Sequence, residues 1–453
     1  MTTKNVIDDS PLTGFHKRLL IQSAGGPFLD GWLLSIIGIA LVGMTNELGL
    51  STSDNAWAGA AALIGIFFGG LAFGRLTDRI GRQLMYTIDL CVLVGASALC
   101  IFADEAWQII ALRFIIGVAI GADYPIATAL LTEWLPSRYR GAFVGSLIAF
   151  WCLGATIALF LGFGLTAWLG DGAWRIILGS SLVPGLIILI LRVGTPESPR
   201  WLMSKGRIEE AQQVLRRVYG RDADVASLVN IETSTATLGF RTLFQGEYGR
   251  RVFFCGAFYV CAITPVFALY SFGPQILSSI GMAEGNMSNL GSALISLLFL
   301  IGCLPALWWT ESLGRRPLLI WSFVAMLIPL ILLGVVPHVG WLVMLCFAVY
   351  ALASGGPNIL EWSYPNELFP TEIRATAMGL ITAISRVGAA VGTFLVPIGL
   401  ENWGVSGIML VAAAMTLVGL VVSVLMAPET KGMSLSEVSG LGTPVRAKAT
   451  ATD

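Results

Sequence analysis

The chain has 453 residues, 56% of them hydrophobic and only 12% charged, with a formal net charge of −1. A water-soluble domain carries about a quarter of its residues as charges, so this composition excludes one and places the chain in a lipid bilayer.

Taken in order, apolar runs of about 20 residues recur near 19–45, 56–74, 84–103, 107–132, 141–168, 172–194, 252–280, 287–309, 318–336, 340–362, 374–400 and 404–427. Each is long enough to cross the hydrocarbon core as a helix, which satisfies every backbone polar group internally. The first run is too long for a signal-peptide core and lacks an A-x-A cleavage pattern, so it is read as a retained span. Six connecting segments, "TNELGLSTSDN", "ADEAWQ", "LGDGAW", "GMAEGNMSN", "PHVG" and "ENWG", contain no Lys or Arg. The opposite side carries Arg75, Arg79, Arg82, Arg138, Arg140, Arg250, Arg251, Arg315 and Arg316. By the positive-inside rule both termini are cytoplasmic, as an even number of spans requires. All seven cysteines fall inside apolar runs without metal-type spacing and are read as packing residues.

Two charged phrases interrupt the apolar pattern: "GRLTDRIGRQ" from Gly74 and its echo "TESLGRRP" from Thr310. Asp78, Gly81 and Arg82 match Glu311, Gly314 and Arg315 at an offset of 233, while Glu133 and Arg140 match Glu367 and Arg374 at 234. Glu197 matches Glu429 at 232. Chance similarity between apolar helices would not keep acids and bases in order, so the chain is a parallel repeat of six spans. The expected division is 1–194, a cytoplasmic linker over 195–250, and 251–453. Within the linker, "RIEEAQQVLRRVYG" sets Ile208, Ala211, Leu215, Val218 and Tyr219 opposite Glu209, Arg216 and Arg217, which predicts a short amphipathic helix buttressing the span ends.

"GRLTDRIGRQ" resembles the loop signature of the major facilitator superfamily, and "PESPRWL" with the closing "PETKG" resembles its sugar-porter branch and organic-ion relatives. "RFIIGVAIGADYPIATALLTEWLPSRYRG" and "YPNELFPTEIRATAMG" extend the resemblance over nearly the whole chain. It implies an all-α membrane protein of twelve transmembrane helices in two pseudo-symmetric halves. It further implies a monomeric carrier that works by alternating access, often with protons as coupling partner. In such carriers, ion-pair clusters at the cytoplasmic ends hold an inner gate shut. Gly74, Asp78, Gly81, Arg82, Glu133, Arg140 and Glu197, with Glu311, Gly314, Arg315, Glu367, Arg374 and Glu429, are the residues expected there. A purely topogenic role accounts for the arginines but not for the repeated acids.

A charge at mid-bilayer costs roughly 2.5–3.5 kcal/mol on insertion scales, so the charged residues inside the spans are candidates for function. Arg175 and Asp89 lie close enough to span ends to reach water or headgroups. Asp30 lies about a dozen residues into the first span. Arg113 opens an R-x-x-x-G-x-x-x-G run with Gly117 and Gly121. Related proton-coupled porters have an acid and an arginine at these places, which implies a proton switch: burial opposes charge on Asp30, and a neighbouring guanidinium favours it. A static ion pair fixing helix register is the alternative. Asp123 in "GADYP" resembles a position near the substrate path of phosphate and organic-ion carriers, or caps the backbone disturbed by Pro125. Arg386, mid-span, suits a carboxylate better than a hydroxyl; Glu361 either neutralises it or is a second proton site. Trp362, Tyr364, Trp32, Tyr124, Trp151, Phe267 and Tyr270 are candidate cavity walls, although packing serves each singly as well.

Sugar porters usually show paired glutamines and a following asparagine in the seventh span. Here that span reads "FYVCAITPVFALYSFGPQIL", with Gln275 alone near its outer end. The substrate expected is therefore a small organic anion moved with a proton across the inner or plasma membrane, with a sugar or polyol as the alternative. The chain has two histidines, His16 and His338, and no H-E-x-x-H, paired-cysteine or phosphate-loop motif. No enzyme activity, metal, cofactor or nucleic-acid partner is expected, a channel would show filters in symmetric subunits, and a non-transporting sensor with a carrier fold remains as a rival.

Overall fold

A computed structural model describes residues 7, 10–220, 223–225, 240–279, 286–336, 339–369 and 371–431. Gly74, Asp78, Tyr124 and Arg140 are helical, but their side chains lie outside the described set, as does all of His338. Among the described residues all regular structure is helical. The first span joins Gly14–Ser35 to Ile37–Leu48, and four single helices follow: Thr52–Ile80, Arg82–Cys100, Ala106–Trp134 and Ser137–Leu169. The sixth span is broken into Trp174–Gly179 and Leu182–Arg192. After the linker come Gly246–Ser279, Asn286–Ser312, Arg315–Val335 and Gly340–Leu368 as the seventh to tenth spans. Thr371–Met426 holds the last two, divided at Gly404, whose φ of 63° and ψ of −172° are not helical. Among the described residues eleven stretches are long and apolar enough to cross a membrane; counting the last as two at Gly404 gives the twelve spans expected from the sequence.

Small residues let neighbouring spans approach closely, as helices in lipid require when no hydrophobic force drives them together. A Cβ at Gly65 would stand 2.2 Å from the carbonyl oxygen of Phe114, and one at Gly117 2.0 Å from that of Ala62, so the second and fourth spans meet backbone to backbone. The eighth and tenth spans repeat the device at Gly302 and Gly355. In the linker, Ile208–Tyr219 is the helix that the apolar spacing predicts: Ala211 and Leu215 are buried against Trp201 and Leu202. Tyr219 donates its hydroxyl to the carbonyl of Trp134, 2.6 Å away, which fastens the linker to the end of the fourth span.

The charged phrases fold alike in the two halves. Gly81 (φ 115°) and Gly314 (φ 100°) make the turns into the third and ninth spans in a region that side-chain-bearing residues avoid. Glu197 accepts the backbone N–H of Gln83 at 3.0 Å. Glu429 accepts those of Arg315 and Arg316 at 3.1 and 3.2 Å, so each acid caps a helix start. Arg82 pairs with Glu133 at 2.7 Å, and Arg315 with Glu367 at 2.8 Å and Glu311 at 3.1 Å. Each of these bonds stays within its own half. Arg374 donates Nε to the carbonyl of Phe369 at 3.1 Å.

At the end remote from the linker the halves are in contact. A Cβ at Gly38 in the first span would lie 2.4 Å from the carbonyl oxygen of Tyr270 in the seventh. The rings of Trp57 and Phe394 meet edge to face at 4.9 Å, and Asn286 donates to the carbonyl of Phe163 at 3.0 Å. Arg175 joins this end of the N-terminal half together: it pairs with Glu47 and, at 3.1 Å, with Asp104, while Trp174 donates to Glu47 at 2.7 Å.

Candidate functional site

Between the halves lies a cavity. Its wall takes Pro27 from the first span, Ala127 and Thr128 from the fourth, and Leu147, Ile148, Trp151 and Cys152 from the fifth. The C-terminal half adds Ile263, Val266 and Phe267 from the seventh span, Asn358, Glu361 and Trp362 from the tenth, and Arg386 from the eleventh. Most of these sit at mid-depth or in the linker-side half of their helices. On the far side Trp151 packs edge to face on Phe267 and Tyr270, at 5.8 and 5.2 Å, and Tyr270 lies against Phe299, so aromatic rings close the cavity above.

The surface is largely apolar, with a few convergent polar groups, the usual form of a small-molecule site. Arg386 supplies a cation, 4% exposed, its guanidinium carbon 5.4 Å from the Phe267 ring centre. Glu361 is buried, stands near enough to Arg386 to interact with its charge, and has one carboxylate oxygen without a hydrogen-bond partner. Thr128, Cys152 and Asn358 are wall residues that sequence reasoning missed; lone polar residues in apolar runs give no signal until the helices are assembled. Cys152 and Cys303 meet across the seam with sulfurs 3.8 Å apart.

Of the residues singled out in the sequence, Glu361, Trp362, Trp151, Phe267 and Arg386 line this cavity. Tyr270 stands behind Trp151 and lines a smaller cavity of about 230 Å³ with Ser292 and Ser296. Trp32 donates its indole N–H to Ser180, 3.1 Å away inside the N-terminal half, and Tyr364 donates its hydroxyl to the carbonyl of Pro428.

Asp30 and Arg113 are both buried, but the structure does not bond them. Arg113 donates Nε to the carbonyl of Ala58 at 3.1 Å and Nη1 to that of Leu33 at 2.9 Å, while neither oxygen of Asp30 has a hydrogen-bond partner. Asp123 is likewise outside the cavity wall, held by Arg192 at 3.2 Å. Asp89 does not reach water or headgroups as its depth suggests; it is buried and turned toward the same guanidinium, 3.7 Å away. Arg192, which sequence reasoning missed, is the last residue of its helix and turns inward to both acids.

Two helical halves of six spans, shut on one side and enclosing a central cavity with charged groups in its wall, define a secondary carrier of the major facilitator type. The match to known proteins makes this specific. Residues 19–441 match the family model described as "Sugar (and other) transporter", and the chain belongs to that family. It is 43% identical over 437 residues to the putative metabolite transport protein YaaU of Escherichia coli, covering 96% of this chain and 97% of the relative. It is 36% identical to the inner membrane metabolite transport protein YgcS of the same organism, covering 96% of each. Among solved structures, the proton:xylose symporter XylE has the same fold, with a TM-score of 0.77 at 20% identity over 95% of this chain and 99% of that one. The protein is thus a multi-pass membrane transporter of metabolites, and not an enzyme.

Proposed function

We propose that this transporter carries a small organic anion together with a proton across the inner or plasma membrane by alternating access, as a monomer with both termini in the cytoplasm. The observation that carries the anion reading is Arg386, a desolvated guanidinium in the wall of a mostly apolar cavity. A planar fork of donors in such a place matches a carboxylate bidentately, and the rings of Trp151, Trp362 and Phe267 suit an apolar body attached to it. Glu361 balances the charge while the cavity is empty and yields Arg386 to the substrate. A sugar or polyol is the second reading; Asn358 and Thr128 in the wall favour it. Thermal stabilisation of the detergent-purified protein by a panel of carboxylates and sugars separates the two: carboxylates stabilise the wild type and fail on Arg386→Ala, whereas stabilisation by sugars alone overturns the anion reading. Uptake into proteoliposomes separates a carrier from a sensor.

Asp30 is the coupling carboxyl in this reading. Its oxygens are buried and unbonded in a state whose cavity lies on the linker side, and Arg113, bonded here to two carbonyls, is the partner it gains through a local rearrangement of the first and fourth spans. Asp30→Asn abolishes proton-driven accumulation and spares substrate exchange; accumulation that survives places coupling elsewhere. The Arg82–Glu133 and Arg315–Glu367 pairs, with Glu197 and Glu429 capping the neighbouring helix starts, form one latch per half. Residues 1–194 and 251–453 tilt as units around the linker.

A further inference from the structure

We propose that Asp89, Asp123 and Arg192 form a proton-holding site inside the N-terminal half, separate from the substrate cavity, which passes protons between the linker end and Asp30. None of the three lines the cavity. They come from the third, fourth and sixth spans and are all buried. Arg192 is fixed from several directions: Nη2 lies 3.2 Å from Asp123 Oδ1, Nη1 lies 3.7 Å from Asp89 Oδ1 and donates to the carbonyl of Tyr86 at 2.8 Å, and its guanidinium carbon rests 3.1 Å over the Tyr86 ring. The Tyr86 hydroxyl in turn donates to the carbonyls of Gln22 and Ser23 in the first span.

Charge counting gives the ligand. Among the described residues two carboxylates share one guanidinium, which leaves one negative charge uncompensated where an isolated buried charge is expensive. Each carboxyl group turns its Oδ1 toward the one guanidinium, and Oδ2 of Asp89 and Oδ2 of Asp123 have no hydrogen-bond partner, which leaves an oxygen on either acid to hold the proton.

Depth and contact give the direction. Counted along their helices at about 1.5 Å per residue, Asp89 lies ~10 Å from the linker-side start of its span, Asp123 ~16 Å from the linker-side end of its own, and Asp30 ~24 Å in. Asp123 Oδ2 presses on Gly26, where a Cβ would lie 1.8 Å away. Gly26 is four residues before Asp30 on one helix, so Asp123 meets the first span about one turn, roughly 5.4 Å of helix rise, on the linker side of Asp30. Asp30 has both oxygens open above this contact. Among the described residues, the charged and titratable groups that face the ladder are Tyr86 from the third span, Arg192 from the sixth and Arg386 from across the cavity. The relay rests on Asp30 as the coupling carboxyl; the stored proton does not.

Infrared spectroscopy of the purified protein in liposomes tests this without any substrate. In an Asp30→Asn/Glu361→Gln background, one protonated-carboxyl absorption remains at neutral pH, and it disappears when Asp89→Asn or Asp123→Asn is added, because one acid and Arg192 then balance. An absorption missing from the background protein, or unchanged by both additions, overturns the proposal. Should the triple variants fail to fold, 13C-labelled aspartate in the unsubstituted protein must shift a neutral-pH carboxyl band; a band that stays put also overturns it. If wild type and Asp30→Asn titrate identically while the dyad band persists, the coupling role of Asp30 fails and the stored proton stands.

Discussion

Substituting Gly38 by alanine should drive the protein out of the conformation described here. Gly38 faces the seventh span across the closed seam, and its added Cβ would lie 2.4 Å from the carbonyl oxygen of Tyr270 and 3.3 Å from that of Ser271. Both are backbone atoms within one long helix, so the obstacle cannot rotate away as a side chain would. Forcing a methyl group into a packed contact of this kind costs about 1–3 kcal/mol. The cost falls on the state in which the seam is shut and vanishes where the halves separate, so the equilibrium between them moves by roughly 5- to 150-fold. Gly59 supplies the graded control: its added Cβ meets the ring tip of Phe272 at 2.7 Å, and a ring can yield. Gly164, which has open space around it, supplies the neutral one. With a single reporter cysteine replacing Phe272 on a background lacking the native cysteines, the alkylation rate by a membrane-impermeant maleimide should rise most for Gly38→Ala and stay unchanged for Gly164→Ala; the Gly59→Ala arm is read by spin-label distances across the seam. Equal rates in Gly38→Ala and the parent would refute the idea that this contact is broken during the cycle.

The helix-start caps predict matched losses in the two halves. Glu197→Gln and Glu429→Gln should each destabilise by about 0.5–2 kcal/mol, seen as similar falls in unfolding temperature; a loss confined to one half would show that the repeat does not work symmetrically. Gly26→Ala places a methyl on Asp123 Oδ2 and should displace that carboxylate from Arg192, lowering thermal stability by more than Gly164→Ala does; equal melting temperatures would mean that the contact relaxes freely. Arg175→Ala removes the partner of Glu47 and Asp104 at the exposed end remote from the linker, and because solvent screens such pairs the fall in unfolding temperature should be small and shrink in high salt.

Length and apolarity made the spans legible, because a helix must bring about 20 apolar residues to cross hydrocarbon and must bond its own backbone. The repeat was legible for a different reason: acids and bases kept in register are rare in lipid-facing sequence, and Arg82, Glu133 and Glu197 indeed meet around one turn, as Arg315, Glu367 and Glu429 do. Pairing inside the bundle was not. The expected Asp30–Arg113 contact follows from the resemblance to proton-coupled porters, but position along two helices does not fix azimuth, and the Arg113 fork turns to the carbonyls of Leu33 and Ala58. Arg192 was hidden by its place at a span end, where long cationic side chains ordinarily reach outward; only the assembled third, fourth and sixth spans reveal that it reaches inward.

The repeat also shows what was not copied. Moving by the offsets of 232 to 234 that align the latches, Asp30 falls on Ile263, Asp89 on Ser322, Arg113 on Phe347, Asp123 on Pro357 and Arg192 on Val424. In reverse, Glu361 falls on Ala127 and Arg386 on Cys152, and both of these line the same cavity as their charged counterparts. Each of these seven charges thus belongs to one half only, while the turns and caps at the linker end belong to both. Shared turns and caps suit two units that must tilt by the same motion. Charges retained at a cost of roughly 2.5–3.5 kcal/mol each, in only one copy, suit two tasks that have been divided, with proton handling in the first half and substrate charge in the second. In the anion–proton symport proposed above, coupling has to cross the cavity, and the groups that would carry it, Asp30 and Arg386, lie on opposite halves and within electrostatic reach of each other. A carboxylate that takes Arg386 removes a positive charge from the surroundings of Asp30, which is how that proposal links the uptake of anion and proton.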